Sequence, residues 1–130
     1  MPIYQTAHYQ VRASAVDKVK AAIAEFVEYV AKNEPGSRMY TAWQQKDDPT
    51  RFVHLFEFAD EAAHQAHGHS DAVRQFEAVY GPELVGGPVV FTDYVLIATN
   101  PKLRRVRVLV GHLSSRNGVA TREFVDTRSV

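Results

Sequence analysis

The chain has 130 residues, the size of one domain, and its Lys and Arg residues balance its Asp and Glu residues at a net charge of zero. It contains no cysteine, which excludes disulfides, thiolate metal sites and cysteine nucleophiles. No apolar run approaches the roughly 18 residues that a membrane helix needs, and Met1–Gln10 lacks the basic and apolar regions of a signal peptide. We therefore expect a cytoplasmic protein with no membrane partner.

The first predicted element is a strand from Ile3 to Arg12, along which the side chains alternate between two faces. Ser14, with Asp17 three residues later, is typical of a capping box at the start of a helix. Apolar residues then recur at steps of three and four from Val16 to Val30, which predicts an amphipathic helix of about five turns. The helix is expected to end at Glu34–Gly36.

The next two runs, Arg38–Lys46 and Phe52–Ala59, also alternate, and the turn residues Asp47–Thr50 separate them. This spacing predicts an antiparallel hairpin of two strands. One face of the second strand is rich in rings, with Phe52, His54, Phe56 and Phe58 at every other position.

Asp60 and Ser70 each precede a short helical pattern and are expected to cap its N-terminus. Gly and Pro residues between 81 and 88 then break the chain before a final strand, Val89–Ala98. The resulting order is strand, helix, strand, strand, helix, strand. It predicts an α+β fold of ferredoxin-like βαββαβ type over residues 1–100, with helices on one face of an antiparallel sheet.

The opposite face of such a sheet would be bare in a monomer. The third and fourth strands carry apolar residues on both sides, including Val53, Leu55, Val95 and Ile97. Because apolar surface of this kind is usually covered, we expect a second copy of the sheet to pack there in a homodimer.

Residues 101–130 form a basic extension. They carry 7 Lys and Arg against 2 Asp and Glu, a balance of +5, whereas residues 1–100 carry 8 against 13, a balance of −5. Asn117-Gly118 between two alternating runs predicts a β-hairpin that docks on the body or crosses to a partner subunit, with disorder as the alternative. Because aromatic residues are not interleaved with the basic ones, we expect no nucleic-acid partner.

A strand rich in aromatic residues, followed by Asp60, alanines, His67, Ser70 and Phe76, resembles the antibiotic-biosynthesis monooxygenase (ABM) family. With the order of elements, the resemblance covers about residues 3–98. It implies ferredoxin-like subunits paired as a dimeric α/β barrel. It also implies a pocket between sheet and helices where dioxygen oxidises a small phenolic or quinol-like aromatic without flavin, metal or other cofactor.

The resemblance also assigns roles to individual residues. His67 lies where the family often has a histidine and would be the general base, and Gln10 aligns with a strand asparagine that some members place in the pocket. Phe58 and Phe56 take the positions usually filled by a tryptophan and a glutamate. Glu77 stands where haem-degrading relatives need a histidine, so haem breakdown is not expected.

Each candidate has a plainer structural interpretation. His67 can act as a base near neutral pH or simply cap the C-terminal end of its helix. His8 and His54 are expected on strand faces towards the pocket, as a second orienting group and a substrate contact, or else as hydrogen-bonded core residues. The ring residues expected to contact a substrate, or otherwise to form the core, are Trp43, Phe56, Phe58, Phe76 and Tyr80.

Three histidines, His64, His67 and His69, fall where the two short helices meet. No carboxylate accompanies them at the spacing of a zinc-binding helix motif, so no functional metal is expected. The leading hypothesis is a cofactor-independent monooxygenase with His67 as base and Gln10 or His8 orienting the substrate. The same pocket is also compatible with an isomerase working by proton transfer, or with a non-catalytic, stress-associated dimer that binds a small apolar molecule.

Overall fold

The structure is a computed structural model that describes residues 1–100, and Met1–Val95 form one compact unit. Two single-turn 3-10 helices, Ala13–Ala15 and Gly81–Glu83, accompany the longer elements. In chain order these are β1 (Ile3–Gln10), α1 (Val16–Asn33), β2 (Ser37–Gln44), β3 (Arg51–Phe58), α2 (Glu61–Gly68), α3 (Asp71–Tyr80) and β4 (Val90–Tyr94).

The four strands form one antiparallel sheet in the order β2-β3-β1-β4. Opposite residues in an antiparallel pair point to the same face, and Tyr9 lies opposite Phe52 while Tyr40 lies opposite Phe56. Tyr9 and Phe52 share one core cluster with residues of α1 and α3, and Tyr40 packs against both this cluster and a second one that contains Phe56. The predicted ferredoxin-like α+β fold is therefore confirmed, with the helices on one face of the sheet.

The apolar period of α1 explains how this helix packs. Its buried residues, Val19, Ile23, Phe26 and Val30, follow one another at steps of four, three and four. Phe26 stacks on Phe76 of α3 with ring centroids 4.9 Å apart. Helices α1 and α3 thus form a continuous apolar layer over the sheet.

Two of the three predicted helix caps are present. The Asp60 side chain accepts a hydrogen bond from Ala63 N, and the Ser70 side chain accepts one from Val73 N. The prediction for Ser14 is wrong, because a 3-10 turn precedes α1 and moves the N-cap to Ala15, which makes no side-chain cap.

The last strand is shorter than predicted. It ends at Tyr94 and not at Ala98. Tyr94 pairs with Tyr4, close to the beginning of β1, so the residues after Tyr94 extend past the end of their partner strand. Val95 and Ile97 are strongly exposed and are not residues of a sheet face. The predicted C-terminal hairpin lies outside the described residues. Among residues 1–100, no helix is long and apolar enough to cross a membrane.

The face of the sheet away from the helices carries exposed apolar side chains. Trp43 is 59% exposed and Leu55 38%, and Val90 and Tyr94 are exposed to a similar extent. Register places all four on the same face as Val53. Burying apolar surface of this kind against another protein surface would be favourable.

Candidate active site

A cavity of about 400 Å³ lies between the sheet and the helices. All four strands and the helices α1, α2 and α3 contribute to its wall, so the packing of these helices on the sheet creates it. Most of its wall is aromatic. The predicted site residues that line it are His54, Phe56, His67, Phe76 and Tyr80.

Phe58 lies beside this cavity and not in its wall. Its side chain is fully buried, and its ring centroid is 5.1 Å from that of His67 and 5.1 Å from that of His64. Phe58 therefore packs against the rings of two histidines. The expected contact of Phe58 with a substrate is not seen, because Phe58 is not among the residues that line the cavity.

Three other candidates lie elsewhere. His8 and Trp43 both pair with Val53, and all three point to the face away from the helices. The expectation that His8 and Gln10 share a cavity with His67 is wrong. Side chains alternate along β1, so His8 and Gln10 point to the face away from the helices while Tyr9 points towards them. His8 and Gln10 line a second cavity of about 420 Å³ together with Trp43, and Gln10 Nε2 donates to Thr50 Oγ1 at 3.0 Å.

His67 is held by a carboxylate. Its Nδ1 lies 2.7 Å from Glu34 Oε1, and both side chains are largely buried. Ser37 Oγ donates to the same oxygen at 2.8 Å. Because a carboxylate oxygen can only accept, Nδ1 of His67 carries the hydrogen, and in the neutral form of the ring Nε2 carries the lone pair. Within residues 1–100, Nε2 makes no hydrogen bond.

A second histidine connects two tyrosines. His54 is 1% exposed, and its Nε2 lies 2.8 Å from Tyr9 Oη while its Nδ1 lies 3.0 Å from Tyr40 Oη. Burial lowers the pKa of His54 to about 4, so the ring is neutral at pH 7. Burial also raises the pKa of Tyr9 and of Tyr40 well above the usual range, and that of Tyr80 to about 12.

The other histidines at the junction of α2 and α3 differ in their surroundings. His64 also lines the cavity, but its Nδ1 is buried without a hydrogen-bond partner in the described chain and lies 3.6 Å from Glu61 Oε2. His69 Nδ1 donates to the backbone oxygen of Gln65 at 2.9 Å. In the part of the chain that the structure describes, no three His, Asp or Glu side chains are placed to bind a metal ion.

Three polar residues of this site, Tyr9, Tyr40 and Glu34, were not predicted. Both tyrosines lie on the helix-facing side of their strands. The pairing of Tyr40 with Phe56 in the hairpin would have identified Tyr40 as a residue of the same face as Phe56. Glu34 offered no such signal, because it follows α1 as a helix-ending residue and reaches His67 across 33 positions of sequence.

The arrangement suits one kind of chemistry. Aromatic walls fit a flat apolar ring, while the free nitrogen of His67 can accept a proton and a tyrosine hydroxyl can donate a hydrogen bond. Burial of these polar groups strengthens their interactions with a bound ligand.

Comparisons with known proteins agree with this architecture. Solved structures of proteins named as candidate antibiotic biosynthesis monooxygenases share the fold. The one from Bacteroides thetaiotaomicron has a TM-score of 0.70 at 17% identity, covering 76% of this chain and 92% of that chain. The one from Caulobacter crescentus has a TM-score of 0.68 at 22% identity, covering 75% of this chain and 91% of that chain. The one from Nitrosomonas europaea has a TM-score of 0.68 at 21% identity, covering 76% of this chain and 94% of that chain.

No match was found among curated proteins. The sequence profile of the family described as "Antibiotic biosynthesis monooxygenase" matches residues 2–79, which is more than half of the chain. This stretch runs from β1 nearly to the end of α3 and includes His54, His67 and Glu34. The chain belongs to the antibiotic biosynthesis monooxygenase family.

Proposed function

We propose that this protein is a cofactor-independent monooxygenase that oxidises a small phenolic or quinol-like aromatic with dioxygen in the cavity between sheet and helices. The observation that supports this most is the pairing of His67 with Glu34 in an aromatic cavity. The pairing leaves one imidazole nitrogen free to accept a proton beside a surface that suits a flat ring.

The first step of the proposed reaction is removal of a proton. The substrate hydroxyl gives its proton to His67 Nε2, and Glu34 stabilises the imidazolium that forms through its bond to Nδ1. The product of this step is an electron-rich aromatic anion held within a mostly apolar wall. A positioned base of this type typically contributes about 10²- to 10⁴-fold to a rate.

The second step uses dioxygen as the oxidant. The anion transfers one electron to dioxygen, and the resulting superoxide and substrate radical combine to form a carbon–oxygen bond at a ring carbon. The peroxide takes the proton from His67 to give a hydroperoxide. Its O–O bond then breaks, and the departing hydroxide leaves as water with the hydrogen of the same ring carbon. One oxygen atom of dioxygen stays on the substrate as a carbonyl and the other leaves as water, so no external reductant is needed.

We also propose that the protein works as a homodimer paired through the face of the sheet away from the helices. The exposed apolar side chains Trp43, Leu55, Val90 and Tyr94 support this assignment. The pairing would bury them and leave the cavity beside His67, on the other face, in each subunit.

Oxygen uptake tests the proposed activity. Purified protein is mixed with a panel of naphthoquinols and anthrones, and dioxygen consumption is compared with the uncatalysed rate. We expect faster consumption, one dioxygen per substrate, and a loss of about 100-fold or more in His67→Ala. His69→Ala is the matched control, because His69 does not line the cavity, and its rate should equal that of the wild type.

Other outcomes separate the alternatives. Uptake no faster than the background, or uptake unchanged in His67→Ala, contradicts the proposed function. Substrate turnover that continues without dioxygen would instead indicate an isomerase using the same base. Binding of the aromatic without turnover would indicate a non-catalytic binding protein.

A further inference from the structure

The hydrogen bonds around His54 leave one tyrosine hydroxyl hydrogen unused. At neutral pH the buried ring has one N–H and one lone pair, and it bonds to Tyr9 and Tyr40. The two hydroxyls and the ring together supply three hydrogens for two bonds. One tyrosine must donate to His54, and the other must accept from it and keep a free O–H.

Nothing else in the described chain uses this hydrogen. Within residues 1–100, neither hydroxyl makes a further hydrogen bond, and Tyr9, Tyr40 and His54 all line the cavity. Both tyrosines keep their hydrogens at neutral pH, because burial raises the pKa of each. A neutral donor is therefore available at the wall of the cavity.

Packing favours Tyr40 as this donor. Its ring centroid lies 5.7 Å from that of His54 and 5.6 Å from that of His67, so its ring contacts both histidines. Tyr9 is buried and lies in a stack between Phe52 and Tyr80, at 5.5 Å and 5.2 Å. Tyr40 is therefore the ring nearer to the base His67.

We propose that the Tyr40 hydroxyl donates a hydrogen bond to the hydroxyl oxygen of the aromatic ligand. His54 is the positioning residue, which accepts a hydrogen bond from Tyr9 and donates one to Tyr40. This inference rests on the proposed function, since it identifies the group that recognises the oxygen from which His67 removes a proton. The hydrogen bond strengthens as negative charge develops on that oxygen. The site therefore selects aromatics that carry a hydroxyl.

Equilibrium binding without dioxygen tests this inference separately from turnover. The probes are 1-naphthol and 1-methylnaphthalene, which have similar shapes and differ by a hydroxyl in place of a methyl group. The ratio of their two dissociation constants is measured by anaerobic calorimetry for wild type, Tyr40→Phe and Tyr29→Phe. Tyr29 is an exposed residue of α1 that does not line the cavity, so Tyr29→Phe is a control that removes a tyrosine hydroxyl elsewhere.

We expect the preference for 1-naphthol to fall by about 3- to 10-fold in Tyr40→Phe, the effect of one hydrogen bond, and to change by less than about twofold in Tyr29→Phe. An unchanged ratio in Tyr40→Phe overturns the inference, as does an equal loss in both variants. If the ratio shifts as expected but no oxygen is consumed in the uptake assay, the role of Tyr40 stands and the monooxygenase activity does not.

Discussion

Glu34 Oε1 lies 2.7 Å from His67 Nδ1 and joins the end of α1 to the last turn of α2. Ser37 Oγ donates to the same carboxylate oxygen. The second oxygen, Oε2, is buried without a hydrogen-bond partner among residues 1–100. The hydrogen bonds of this carboxylate are thus concentrated on the oxygen that holds the imidazole, which fixes the ring in one orientation.

Replacing Glu34 with Gln should impair the base without removing it. The neutral amide weakens the charge-assisted hydrogen bond between residue 34 and His67. A hydrogen bond of this type contributes about 1.5–3 kcal/mol, which corresponds to a decrease of about 10- to 100-fold in rate if it is lost. The measurement is kcat/KM for oxygen-dependent turnover. Ser37→Ala removes the other bond to the same oxygen and should change the rate by less than about threefold. Equal effects in both variants would show that the bond to His67 has no special role.

Gly36→Ala should destabilise the protein and displace α2. An added Cβ at Gly36 would lie 2.6 Å from Cβ of Ala63, and neither atom can move without its backbone. We expect a loss of about 1–3 kcal/mol in the free energy of unfolding, measured in urea. The control is Gly81→Ala, where φ is −53° and nothing lies within 4 Å of the new Cβ. It should be neutral or stabilising by up to about 1 kcal/mol, and a similar loss in both variants would contradict this packing.

Burial of His54 makes stability depend on pH. Its pKa falls from 6.5 to about 4 on folding, so between these values the unfolded chain binds the proton more readily than the folded protein. Stability should therefore fall as the pH is lowered from about 6.5 to about 4, by at most about 3 kcal/mol from this residue. The free energy of unfolding of wild type and His54→Gln, measured from pH 7 to pH 4, should converge as the pH falls. Parallel curves would contradict a buried neutral imidazole.

Leu55→Glu should prevent dimer formation. It places a charge at the centre of the apolar face away from the helices, and burying an unpaired carboxylate is costly. Sedimentation equilibrium should give the mass of two chains for wild type and of one chain for the variant. Lys20→Glu, on the exposed side of α1, should stay dimeric. A wild-type protein that is monomeric at high concentration would contradict the proposed pairing.

The sequence predicted the elements better than the contacts between them. Alternation and helical periodicity are local, so β1, α1, β3 and the caps at Asp60 and Ser70 followed from short windows of sequence. The end of β4 could not be predicted in this way, because it depends on where β1 begins, and β1 is far from β4 in the sequence.

The site shows the same limit. Alternation already put His8 and Tyr9 on opposite faces, but it did not show which face the helices cover. The helices cover the face that carries Tyr9, so His8 lies on the other side of the sheet from His67. The bond between Glu34 and His67 depends on the packing of α2 against the turn after α1, which has no local pattern in the sequence.

A crystal structure of the protein with 1-naphthol bound in the absence of dioxygen tests the central claim most directly, since the cavity beside His67 and the one beside His8 have similar volumes and lie on opposite faces of the sheet. We predict that the ring lies between Phe56 and Phe76, with its oxygen within about 3 Å of both Tyr40 Oη and His67 Nε2. A ring found instead in the other cavity, beside His8 and Trp43, would contradict the assignment of this site.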